Sequence, residues 1–138
     1  MNIRAANTVW PVGCIREHLL VDASSQMIQI AEFLLSKPEG YRANAFEPLF
    51  PGLYCRHYFP RGPDKYDLVI SAYALIEQPD KSYRKKLISD LWEKTATFLV
   101  IMEQGTKAGF SAILEARDVL VSLLIFAIFN YAIIYLWN

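Results

Sequence analysis

Two short apolar runs with an amphipathic segment between them restrict what this chain can fold into. Asp67 to Ala72 (DLVISA) carries β-branched Val69 and Ile70; it is long enough for a buried strand and too short for a typical helix. Gln78-Pro79-Asp80 marks a turn, with Asp80 placed to cap a helix. Tyr83, Leu87, Ile88, Leu91 and Trp92 then recur at helical spacing, with Arg84, Lys85, Ser89, Glu93 and Lys94 on the other side. Phe98 to Met102 (FLVIM) is a second strand-like run, closed by Glu103-Gln104-Gly105-Thr106. Lys65 to Gly109 therefore reads as a βαβ unit with parallel strands and a right-handed crossover. Open sheets of this kind bind ligands outside the carboxyl ends of their strands, here Ser71 to Leu75 and Glu103 to Thr106.

The flanking sequence extends the alternation. Leu19 to Val21, ending in Asp22, is a brief strand; Ser24 is a good N-cap for a helix whose apolar face is Met27, Ile30, Ala31, Leu34 and Leu35. Lys37-Pro38-Glu39-Gly40 stops that helix, and Ala43 to Gly52 is a loop rich in proline and aromatics. Leu53 to Phe59 has strand composition, and Gly109 to Leu120 reads as a further helix. The order βα, β, βα, βα predicts an α/β sheet with helices on its faces. Residues 1–18 show no clear period and read as an irregular leader, followed by the main domain at 19–118 and an apolar tail at 119–138. At 138 residues, one domain with a real core is expected.

Lys plus Arg and Asp plus Glu both number 14, so the zero formal charge implies no strong general affinity for nucleic acid. Hydrophobic content is 54%, and the last segment causes much of the excess. No charged side chain follows Asp118, and Val119 to Trp137 meets the length and hydropathy test for a membrane-spanning helix. A buried core helix, or a tail left exposed by truncation, accounts for the same run. No apolar run follows Arg4, so the amino end is not a secretory signal; its acid-poor start is too short and poorly amphipathic to rely on as a transit sequence.

An acid ending the second strand is what a nucleoside-binding Rossmann-like fold uses to accept bonds from ribose hydroxyls, and Asp22 sits in that place. The same position suits an acid stabilised by a helix N-terminus. The companion feature is missing. Upstream of Asp22 there is Gly13 alone, and neither GxGxxG nor a shorter version occurs. Gly105-Thr106-Lys107-Ala108-Gly109 lacks the closing Gly-Lys-Ser/Thr of a phosphate loop. Cys14, His18, Cys55 and His57 could in principle hold zinc, but neither pair has a strong zinc spacing; a buried thiol and surface histidines are the simpler reading. Two cysteines make no disulfide framework. Neither a Ser-His-Asp set nor a carboxylate pair stands out. Lys81, Arg84, Lys85, Lys86 and Lys94 make a partly basic helix, diluted by Asp80, Asp90 and Glu93, and read as a solvated face.

Taken together, LLVDASSQMIQIAEFLL, YDLVISAYALIEQP and LISDLWEKTATFLVIMEQGTKAGFSAILEARDVL resemble the methyltransferase-like protein 17 family of mitochondrial small-ribosomal-subunit assembly proteins. The likeness runs from about Trp10 to Leu120 and is densest from Leu91 to Asp118. It implies a class I methyltransferase-like fold, a place in the mitochondrial matrix, and the ribosomal RNA and proteins of the small subunit as partners. Asp22 matches the family's ribose-facing acid, and Ser71 ends its fourth strand, so both are the implied cofactor-binding residues for S-adenosylmethionine in an intact parent. The resemblance also implies a carboxyl-terminal iron–sulfur cluster; Cys14 and Cys55 fall outside that region and do not inherit it.

The departures matter as much. The first strand and its glycine turn are absent, and in the family's order that strand lies between the second and the fourth. Its loss opens a gap in a parallel sheet, each unpaired buried backbone group costing about 1–3 kcal/mol. The expectation is thus a partial Rossmann-like α/β fold from a larger protein, acting in ribosome assembly without methyl transfer. A fragment of an S-adenosylmethionine-dependent rRNA methyltransferase and a small tail-anchored membrane protein are the alternatives.

Overall fold

The computed structural model describes residues 2–11, 13–37 and 48–136, with side chains from residue 3 to residue 126 within those ranges. Its elements run α1 (Asn2–Val9), β1 (His18–Val21), α2 (Ser25–Leu35), β2 (Leu53–Arg56), β3 (Tyr66–Ala72), α3 (Lys81–Glu93), β4 (Thr95–Met102) and α4 (Lys107–Leu136). The α/β alternation is as the sequence predicts. The strands form two parallel pairs, β1–β2 and β3–β4, rather than one sheet of four. This arrangement of short parallel strands and helices is consistent with the expected partial Rossmann-like α/β fold. The chain divides into two compact units, Met1–Arg61 and Gly62–Asn138. Two separate pairs have no common ladder to make one sheet cooperative.

In the amino-terminal unit, residues read as irregular form the helix α1, where Asn7 Nδ2 donates to the Ile3 carbonyl. Residues 3–9 therefore supply no strand. β1 and β2 pair from His18↔Leu53 to Val21↔Arg56. Gly52 makes the entry to β2 feasible. Its φ is +73°, its carbonyl accepts from His18 N at 2.9 Å, and a Cβ there would collide with the Arg16 carbonyl. Ser24 caps α2 by accepting from Met27 N at 3.3 Å. The predicted apolar face of α2 is mostly not the one used: of its members Leu35 is buried but Met27, Ile30 and Leu34 are each 52% exposed, while Ile28, outside that face, is buried. A two-stranded pair is too narrow to cover the whole stripe.

The carboxyl-terminal unit has more to pack. Asp80 caps α3, its Oδ1 accepting from Ser82 N at 2.7 Å and Tyr83 N at 3.1 Å. Leu75 and Ile88 are fully buried with Ala112 and Ala116 of α4, and Leu87, Ile101 and Leu120 pack around them. The small residues at 112 and 116, one turn apart, let α4 lie close against this cluster. Gly109 serves the same closeness: it is buried, and a Cβ would strike the Gln104 carbonyl. Two positions at α3 reverse their expected sides: Lys94, predicted on the polar side, is buried, and Tyr83, predicted on the apolar side, is exposed. Lys94 is 8% exposed, donating to the carbonyls of Gly62 (2.5 Å) and Asp64 (3.4 Å), and Tyr83 is 57% exposed.

α4 runs through the predicted end at Leu120 into the tail as one helix. Among the described residues no helix is long and apolar enough to cross a membrane. The span predicted for Val119–Trp137, and with it the tail-anchored reading and the membrane as partner, is not supported. Val119 and Leu120 instead pack against the Leu75–Ile88 cluster. The part of the run from residue 127 lies outside the residues whose side chains are described.

Candidate functional site

The carboxyl ends of the parallel strands were the predicted site, and each pair builds its own. In the amino-terminal unit Asp22 follows β1 directly, its N–H donating to the Arg56 carbonyl at 3.1 Å. Its Oδ1 accepts from Ser24 N at 2.8 Å, in the turn that starts α2. One carboxylate oxygen is thus committed to the local turn. The glycine upstream, Gly13, sits in an exposed turn with no atom within 4 Å of where its Cβ would be. It approaches nothing, so it does not act as the tight glycine turn that a nucleoside cofactor requires. Among the described residues, Asp22 and Gly13 do not by themselves make an S-adenosylmethionine cradle.

In the carboxyl-terminal unit Ser71 is buried at the end of β3, paired in register with Ile101. Two neighbours that sequence reasoning did not single out shape this edge. Tyr73 has a φ of +61°, is 54% exposed, and donates its N–H to the Met102 carbonyl at 2.9 Å. A bulky residue held at positive φ stores backbone strain. Glu103, the residue after β4, accepts the Leu75 N–H on Oε1 at 2.7 Å, while its Oε2 is buried without a donor among the described residues. The edge itself was legible from strand ends. The roles of Tyr73 and Glu103 were not, because φ and the Glu103–Leu75 bond depend on how the loop closes.

The four Cys and His candidates do not behave as a ligand set. Cys14 is exposed and Cys55 half-buried. Burial, together with the charge of Glu32, pushes the Cys55 thiol up despite the opposing Arg56, which favours the protonated form over the thiolate a metal needs. His18 is not on the surface as expected. It is 9% exposed and tilted against Phe50, with Nε2 lying 3.1 Å from Asn7 Nδ2. That amide nitrogen also donates to the Ile3 carbonyl, so it can only donate and His18 Nε2 accepts. The neutral ring fits its lowered pKa, caused by burial. Among the described residues no group of three or more His, Cys, Asp or Glu converges. A thiol set for an iron–sulfur cluster does not fit the two separate cysteines described.

A groove of about 420 Å³ lies between α3 and α4, bordered by Lys81 and Lys85 from one helix and Ser111, Glu115, Asp118 and Ser122 from the other. Neither Asp22 nor Ser71 lines it.

Comparison with known proteins bears on the whole chain. Residues 1–131 match the family described as mitochondrial small ribosomal subunit Rsm22. Over 118 residues, 85% of the chain, it is 39% identical to the human protein named ribosome assembly protein METTL17, mitochondrial. The matched stretch is 25% of that relative's length.

Proposed function

This chain belongs to the mitochondrial small ribosomal subunit Rsm22 family, and from that premise we propose that it is an assembly module for the small subunit of the mitochondrial ribosome. The family match across residues 1–131 carries the proposal. Its partners are the RNA and proteins of that subunit, met in the mitochondrial matrix, and it has no methyl-transfer activity in this form. The second half of the proposal is supported by chemistry: Gly13 approaches no other atom, and Asp22 already spends an oxygen on Ser24. Sedimentation of the full chain with mitochondrial small subunits tests the first half, and a chain found entirely at the top of the gradient would refute it. Isothermal titration with S-adenosylmethionine tests the second. No heat of binding is expected, and micromolar binding abolished by Asp22→Ala would overturn it.

One observation favours a second reading, in which a longer parent methylates small-subunit RNA. Asp22 and Ser71 both stand at carboxyl ends of parallel strands, where such folds bind their ligands. Methylation of small-subunit RNA by the parent, lost with Asp22→Ala at unchanged stability, would establish it.

A further inference from the structure

We propose that the groove between α3 and α4 is a docking site for the phosphodiester backbone of single-stranded RNA, held by Lys81 and Lys85. The argument begins with which charges are already taken. Of the basic residues on α3, Arg84 is bonded to Glu115 (Nε to Oε2, 3.1 Å) and Lys86 to Asp90 (2.6 Å). The groove's other acid, Asp118, is bonded to Arg117 at 2.8 Å. Asp80 turns its carboxylate to the N–H groups of Ser82 and Tyr83. Lys81 and Lys85 are exposed and, among the described residues, have no carboxylate partner. A helix that looks diluted in sequence thus presents two ammonium groups without a salt-bridge partner to the same groove. That groove also holds Glu115, whose Oε1 is buried without a donor among the described residues, and Asp118.

Their chemistry selects the partner. Residues four apart on a helix stand about 5–6 Å apart at Cβ, so the two ammonium groups can each meet a phosphate. Lysine binds phosphate as a point charge, while the arginine fork grips phosphate and carboxylate alike. Both arginines beside this groove are already engaged by carboxylates, so the two lysines are the cations left to meet an anion. Ser111 and Ser122 add hydroxyls, and the groove's lining includes no aromatic ring on which a base could stack. Binding is therefore through the backbone and independent of base sequence. The choice of RNA as the anionic polymer rests on the ribosomal reading above; the charge pattern does not.

The test is fluorescence anisotropy of the full chain with a labelled mixed-sequence single-stranded RNA, across a salt series. Each phosphate contact contributes about 0.7 to the slope of log K against log salt for single strands, so Lys81→Ala/Lys85→Ala should flatten it by about 1.4 and weaken binding several-fold. Both sites are exposed and alanine favours helix, so the double variant keeps its fold, as circular dichroism will verify. Lys86→Ala, which removes a charge already paired, should leave affinity and slope near wild type. Unchanged affinity and slope in the double variant, absence of RNA binding by the wild-type chain, or stronger binding of poly-glutamate than of RNA would each overturn the proposal. If the chain still sediments with small subunits in those cases, the groove is refuted and the ribosomal reading stands.

Discussion

The two parallel pairs start from similar sequence patterns and reach different degrees of closure. β1–β2 is four residues long on each strand and is served by α2, where Met27, Ile30, Phe33 and Leu34 remain exposed. β3–β4 is longer and has two helices, α3 and α4, whose buried side chains meet around Leu75 and Ile88. Even so, one face of β3–β4 is bare: Leu68 and Ile70 lie beside Phe98 and Val100 in register, and these four are 37–65% exposed. Parallel sheets are normally covered on both faces. The difference teaches that burying one face with two helices is enough for a real cluster, while short strands with one helix leave most of an amphipathic stripe unused.

The largest expected effect tests that contrast. Ile88→Ala should cost about 2–5 kcal/mol because it empties a fully closed site, whereas Ile28→Ala should cost clearly less at a site that can collapse. Urea denaturation with hydrogen-exchange mass spectrometry on each unit measures both. Equal losses would mean that the amino-terminal unit is as well packed as the other.

Gly52→Ala comes next, combining a positive φ with a collision against the Arg16 carbonyl, and should cost more than about 1 kcal/mol. Faster exchange in residues 18–21 and 53–56, with β3–β4 protected as before, would identify the units as independently stable. Loss of protection in both would show them to be coupled.

Helix caps should separate the units by a smaller margin. Asp80→Ala removes an acceptor of two N–H groups and should cost about 1 kcal/mol; Ser24→Ala removes one bond of 3.3 Å and should cost less. A reversed order would show that α2 depends on its cap because its packing is thin.

The smallest effect is on pH. Burial holds His18 below its ordinary value of 6.5, so the unfolded chain takes up the proton first as pH falls. Stability from the neutral ring is present above 6.5 and declines as pH drops from there toward the folded value. Denaturation midpoints on either side of 6.5 should show this in the amino-terminal unit, and His18→Gln should reduce it. An unchanged pH dependence would remove His18 as its source.

Much of this was legible in the residues. Alternation of β-branched runs with 3.6-residue stripes located every strand and the helices α2 to α4, and the turn at Pro79-Asp80 located a cap. The helix α1 was missed because its eight residues make little more than two turns, too short a window for a helical repeat to stand out. At the candidate site, Asp22 and Ser71 were visible as strand ends. Tyr73 and Glu103 fell within the predicted edge, but their roles were not legible, since those lie in a backbone angle and in one bond to Leu75.

What the sequence determines here is local: which segments are strand or helix, where they stop, and that the chain resembles a ribosome-assembly family. Those follow from steric preference, periodicity and residue identity over a few positions. Only the tertiary structure decided how the pieces close. It divided the strands into two pairs, buried Lys94 and His18, and packed Val119 and Leu120 on a core. It also matched Arg84, Lys86 and Arg117 to acids while leaving Lys81 and Lys85 over. Ion pairing and burial depend on which side chains from distant segments come within a few ångströms, and spacing along the chain does not encode that distance.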